Sequence, residues 1–128
     1  MSETNTGEDV GAEAAHDLLL DGEKKLRILP GASSHAASFQ IEKEDHTLGN
    51  ALRYFINKNP DVEFCGYTIP HPSETKMHIR IQTWEDTSTT AYEALRKGLL
   101  DMVEACDVVT EKFESARDEF NASHANGN

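Results

Sequence analysis

Basic residues are scarce in this sequence, and cysteine and tryptophan are scarcer still. Twelve Lys and Arg stand against 23 Asp and Glu, for a net charge of −11. Seven of those acids and none of the bases fall in residues 1–23. A surface that grips a phosphate backbone needs Lys and Arg to displace its counterions. No such cluster is present, which argues against direct nucleic-acid binding by this chain. The two cysteines, Cys65 and Cys106, have no metal or redox spacing and read as small buried hydrophobes of a reducing, intracellular setting. No apolar run approaches the roughly 18 residues of a membrane span. The opening residues carry neither the basic nor the apolar region of a secretory signal.

What is there suits one domain of 128 residues. Residues 1–24 have the composition of a disordered acidic tail, with at most a transient helical turn at "AHDLLLDG". Residues 25–120 carry the periodic patterns, and 121–128 read as a frayed C-terminal tail. "KKLRILPG" is a short edge strand. "SFQIEKED" alternates Phe39 and Ile41 against Gln40 and Glu42, a half-buried strand. "VEFCGYTI" is a strand with Val62, Phe64 and either Cys65 or Tyr67 inward, the odd count placing a bulge near Gly66. "MHIRIQTW" sets Met77, Ile79 and Ile81 on one face.

Between the strands, "HTLGNALRYFINKNP" places Leu48, Ala51, Leu52, Phe55 and Ile56 on one helical face. Asp45 or Thr47 can cap it, and Asn59-Pro60 ends it. Gly49 and Asn50 weaken its first turn. Gly49 either admits a loop or another chain close to the backbone or is a tolerated weak spot. Asn50 has the groups to bridge to a neighbouring backbone.

The last helix is too long for the body that carries it. Thr90 with Glu93 forms a capping box, and the pattern continues to about Phe120. Leu95, Leu99, Met102, Cys106, Val109, Phe113, Ala116 and Phe120 recur at alternating steps of four and three, a heptad seam. At 1.5 Å per residue the rod reaches roughly 50 Å, against about 30 Å for the body. Either the helix breaks near Asp107 and folds back, or a second polypeptide covers its far end.

Residues with chemical potential do not converge. His46 precedes a helix, His71 lies in a proline turn and His78 sits on the polar face of a strand. None has zinc-motif spacing, and no activated Ser or Cys completes a triad with Asp45 and His46. No cofactor, metal or catalytic residue is expected.

The stretch "DHTLGNALRYFINKNPDVEFCGYTIPHPSETKMHIRIQT" resembles the small alpha-like subunits shared by eukaryotic RNA polymerases I and III. It is more distantly similar to the corresponding RNA polymerase II subunit and to the N-terminal domain of bacterial alpha. "TLGNALR", Thr47 to Arg53, looks like the alpha motif, and "FCGYTIPHPSE" is close to the polymerase I/III form. The resemblance implies an α+β alpha-like dimerisation domain: an antiparallel sheet, a short helix and a long C-terminal helix. It implies a non-catalytic assembly subunit, nuclear and nucleolar, paired with the larger alpha-like subunit. Two small zinc-binding subunits and the two largest subunits would complete the platform that transcribes rRNA, tRNA and 5S rRNA genes. Carried over by position, the first helix would give Leu48, Gly49, Asn50, Leu52 and Phe55 to the heterodimer, and the second the Leu95-to-Phe120 seam. Arg53-Tyr54 replaces the paired arginines common in bacteria. The short "IPHPSETK" turn stands where bacterial alpha inserts a further domain. The alternative reading is a homodimeric interaction module outside polymerase.

Overall fold

Alternation of period two builds a sheet, and period 3.6 builds the two helices that cover one side of it. The computed structural model describes residues 19–20 and 23–125. Its elements are β1 (Leu19–Leu20), β2 (Glu23–Lys24), β3 (Leu26–Ile28), β4 (Ala36–Glu42), α1 (His46–Asn57), β5 (Val62–Thr68), β6 (Lys76–Thr83) and α2 (Ala91–Ala125). Strands β3 to β6 form an antiparallel sheet in the order β3-β4-β6-β5. This is the α+β architecture with a short and a long helix.

The core is the inner face of that sheet under α1 and the start of α2. Phe39 and Ile41 of β4 lie beside Ile79 and Met77 of β6 across the ladder. All four are buried, together with Ile81, Leu52, Ile56 and Leu95. Removing a side chain of this size from water is worth roughly 1.5–3 kcal/mol each. Asp45 caps α1, its Oδ1 accepting from the Thr47 amide at 2.9 Å. That bond holds the Asp45 carboxyl below its ordinary pKa. The Asp45 contribution is therefore present at neutral pH and is lost as acid protonates the cap. Asn59 closes the helix, its amide donating to the Ile56 carbonyl and its Oδ1 accepting from the Asp61 amide, both at 3.0 Å.

Strand β5 departs from the expected pattern. The ladder slips between Val62 and Phe64, so the bulge is at Glu63 and not near Gly66. The extra residue brings Val62, Cys65 and Tyr67 to the inner face, opposite Thr83, Ile81 and Ile79. Phe64 is thereby turned outward and is half exposed. It is not wasted there: a Cβ on Gly66 would meet Phe64 Cζ at 2.9 Å, so the ring lies over the glycine on the outer side.

The two ends of the described residues also differ from the expected pattern. The acidic stretch up to residue 18 lies outside the described residues. Leu19–Leu20, expected in a tail with at most a helical turn, instead pairs with Glu23–Lys24. Asp21 and Gly22 stand between them in the sequence, a dipeptide that favours tight hairpins. At the other end α2 continues through Ala125, beyond the expected stop near Phe120 and into the stretch read as a frayed tail. Residues 126–128 lie outside the described residues. There is no break at Asp107: α2 is one helix of 35 residues, about 52 Å long.

Candidate partner-binding surface

The start of α2 is fixed from three sides. The Thr90 amide donates to Glu93 Oε2 and the Glu93 amide to Thr90 Oγ1, each at 3.1 Å, completing the capping box. The Ala91 amide donates to the Ser34 carbonyl at 2.8 Å, and Thr89 Oγ1 donates to Asp61 Oδ2 at 2.6 Å. Ala91, Ala94, Leu95 and Gly98 are buried against the sheet and α1. Gly98 marks the closest approach, because a Cβ there would overlap Ile56 Cγ1 and touch Leu52 Cδ1.

From this anchor the helix leaves the body. Leu99 and Met102 are half-buried, and from Cys106 to Ala125 every residue is exposed. That overhang spans about 30 Å. Val109 is 67% exposed, Phe113 64% and Phe120 59%. Arg117 lies over the Phe113 ring, 6.0 Å from its centroid, and His124 stacks on Phe120 at 3.9 Å. An isolated helical arm of this length is marginal in water, and one presenting large apolar side chains is an interaction surface.

The thirteen residues expected at an interface therefore divide. Leu52 and Leu95 are fully buried in this chain's own core and have no surface left to offer. Gly49 is buried too, against the same chain: a Cβ there would fall 2.5 Å from Tyr67 Cε2. The Tyr67 ring cannot easily yield, since its hydroxyl bonds His46 Nδ1 at 2.8 Å and Arg53 lies over its face. That explains the glycine in the first turn of α1. Asn50 is exposed and accepts from Arg53 Nη2 at 3.3 Å; it bridges to no backbone among the described residues. Leu48, Phe55, Leu99 and Met102 are half-buried at the rim, while Cys106, Val109, Phe113, Ala116 and Phe120 stand clear. Leu100, Val103 and Val108 are exposed apolar residues that the strict heptad left out, and so is Tyr54 on α1. A broader apolar arc than the two-in-seven seam would have found Val103.

The histidines are dispersed. His46 bonds Tyr67, His71 Nδ1 bonds Ser73 Oγ at 2.6 Å, and His78 Nε2 bonds Gln40 Oε1 at 2.8 Å. Among the described residues no three His, Cys, Asp or Glu are arranged to hold a metal ion, and no helix is long and apolar enough to cross a membrane. The two thiols differ sharply. Burial pushes the Cys65 thiol up to about 12, only partly opposed by Arg53, while Cys106, expected to be buried, is exposed because α2 has already left the body there. The protonated thiol is the form the fold favours. Its contribution is complete below the ordinary thiol pKa and is lost as pH rises from about 9 toward 12. Iodoacetamide at neutral pH should alkylate one thiol of the native chain, Cys106, and both after unfolding in guanidinium, read by intact mass.

A buried-face sheet and a helix whose apolar edge outruns its own domain define a dimerisation module. The match to known families agrees: residues 36–112 fit the family model described as the RNA polymerase Rpb3/Rpb11 dimerisation domain, and the chain belongs to that family. Particular relatives narrow the kinship. The chain is 65% identical over 92 residues to the DNA-directed RNA polymerases I and III subunit RPAC2 of Schizosaccharomyces pombe, covering 70% of this chain and 72% of that protein. It is 61% identical over 93 residues to the RPAC2 subunit of Saccharomyces cerevisiae, covering 70% of this chain and 64% of that one. For Danio rerio RPAC2 the identity is 49% over 90 residues, covering 70% and 79% respectively. Among solved structures, DNA-directed RNA polymerase subunit L from Thermoplasma acidophilum shares the fold. The TM-score is 0.64 at 18% identity, over 76% of this chain and 92% of that chain.

Proposed function

We propose that this chain is a non-catalytic assembly subunit of nuclear RNA polymerases I and III that pairs with their larger alpha-like subunit. The overhang of α2 carries the reading. Twenty consecutive exposed helical residues holding Val109, Phe113 and Phe120 need a second surface, and membership of a dimerisation family supports a second polypeptide in that role. The contact would comprise the outer part of the seam, from Leu99 to Phe120, with Leu48 and Phe55 at the shoulder of α1. Leu52, Leu95 and Gly49 would act indirectly, by holding the two helices in place. The pair would scaffold the two largest subunits with the small zinc-binding subunits, in the nucleus and nucleolus, for rRNA, tRNA and 5S rRNA synthesis. The names of the relatives support the polymerase assignment.

Co-expression with the larger alpha-like subunit should yield a one-to-one pair in which Cys106 resists iodoacetamide under conditions that alkylate it in the lone chain. Recovery of self-pairs alone, or of a heterodimer with Cys106 still fully reactive, would overturn this reading.

A further inference from the structure

Both helices lie on one side of the sheet, and among the described residues no helix covers its other side. Strand register places Arg27, Gln40 and His78 in one row of that outer face, with Ser38, Arg80 and Gly66 in the next. Phe64 and Gln82 follow, and Trp84 lies two residues beyond Gln82, just past the end of β6. In a chain of net charge −11, this face has an excess of cations. Arg80 is held by neutral groups, donating to Gln82 Oε1 and to Ser38 Oγ at 3.3 Å each. Neither Arg80 nor Arg27 is ion-paired with a carboxylate among the described residues. Glu42 accepts from Gln40, Lys25 and Lys76 pair with Glu44 and Glu74, and exposed Glu63 stands in the bulge beside Phe64. Phe64 and Trp84 are both about half exposed at the end of the face beyond Arg80.

We propose that this outer face docks an extended acidic segment of another polypeptide, with carboxylates on Arg27 and Arg80 and an apolar residue against Phe64 and Trp84. The spacing is specific. Arg27 and Arg80 are separated by two strand intervals and one row, about 12 Å. That matches carboxylates at positions i and i+4 of an extended chain, about 13 Å apart, and i+6 then reaches Phe64. Guanidinium suits the match, because its planar fork binds carboxylate through two parallel bonds. A phosphate backbone fits less well: it brings a charge at every nucleotide into the field of a strongly acidic protein, and two arginines offset few of them.

Trp84 is the sole tryptophan of the chain, so its fluorescence reports on this face directly. The full chain is titrated with a peptide bearing glutamates at i and i+4 and leucine at i+6. The same peptide with glutamines and a single-stranded oligouridylate serve as comparisons. The expected result is a saturable change of Trp84 emission with the glutamate peptide, weakened by added salt. The glutamine peptide, and the Arg27→Glu/Arg80→Glu variant given the glutamate peptide, should each bind about tenfold more weakly. Both arginines are exposed, and circular dichroism checks that the variant folds. Absence of saturable binding, binding that survives loss of charge on either side, or displacement of the peptide by oligouridylate would overturn the proposal. The pairing through α2 is untouched by any of these outcomes, since the outer face lies on the opposite side of the sheet from both helices.

Discussion

Phe113→Asp should abolish pairing with the larger alpha-like subunit while leaving the isolated chain as stable as before. The asymmetry follows from where Phe113 stands. In the lone chain it is 64% exposed, in the middle of the overhang and outside the buried core. An aspartate there remains solvated, breaks no core contact, and costs the helix only a few tenths of a kcal/mol in propensity. In the proposed pair the same position would lie in the seam. The variant then loses the burial of a phenylalanine, about 1.5–3 kcal/mol, and must desolvate a carboxylate without a partner, which costs several kcal/mol more. Together these weaken association by at least about three orders of magnitude. Two measurements check it. The thermal melt of the isolated variant should stay within about 2 °C of the parent, and co-purification with the larger subunit should fall to background. Unaltered co-purification would remove Phe113 from the interface. A collapsed melt would mean the overhang packs on its own sheet after all.

Much of the fold could be read from residue order. The alternations Phe39/Ile41 and Met77/Ile79/Ile81 fall on the core face as expected, and Thr90 with Glu93 closes the capping box. Those signals are local: each depends on period or on partners three residues apart. What was not legible was tertiary. A bulge moved by three residues turns Phe64 outward and brings both Cys65 and Tyr67 inward, and the choice rests on pairing with β6, not on β5 itself. The same limit separates seam from core. Leu52, Leu95 and Val109 are equivalent in pattern, but the first two are buried in this chain's own core and the third is largely exposed. Periodicity shows that a face is apolar without showing what covers it. Besides the family resemblance, the unusual length of α2 was the sequence signal that supports a partner, and it is strengthened by a helix that runs on to Ala125. Gly49 illustrates the converse. Its weakness for helix was visible, but the reason is the ring of Tyr67, 18 residues away and supplied by a strand.

Gly98→Leu should be among the most damaging single changes to the domain itself. A glycine inside a helix costs about 1 kcal/mol relative to alanine, so a glycine in the eighth position of α2 needs a reason in packing. The reason is the crossing of α1. A Cβ at Gly98 would overlap Ile56 Cγ1, which belongs to a fully buried, β-branched side chain with little freedom to rotate away. Leu52 closes the other side of the same space. A leucine must therefore push the helices apart. Even after crediting the gain in helix propensity, the loss should be about 3 kcal/mol or more, a fall in Tm of roughly 12–20 °C. Because α2 also carries the seam, its displacement should weaken pairing as well, unlike Phe113→Asp, which spares the fold. The contact can be tested from its other side. Ile56→Ala alone leaves a cavity and should cost about 2–5 kcal/mol. Joined to Gly98→Leu it should do less harm than the two separate costs added, because the new side chain then fills the space the isoleucine vacated. A coupling of at least about 1 kcal/mol in that cycle, measured by denaturant unfolding, is the expected sign of direct contact. Simple additivity would mean that Gly98 is required for something other than the approach of Ile56.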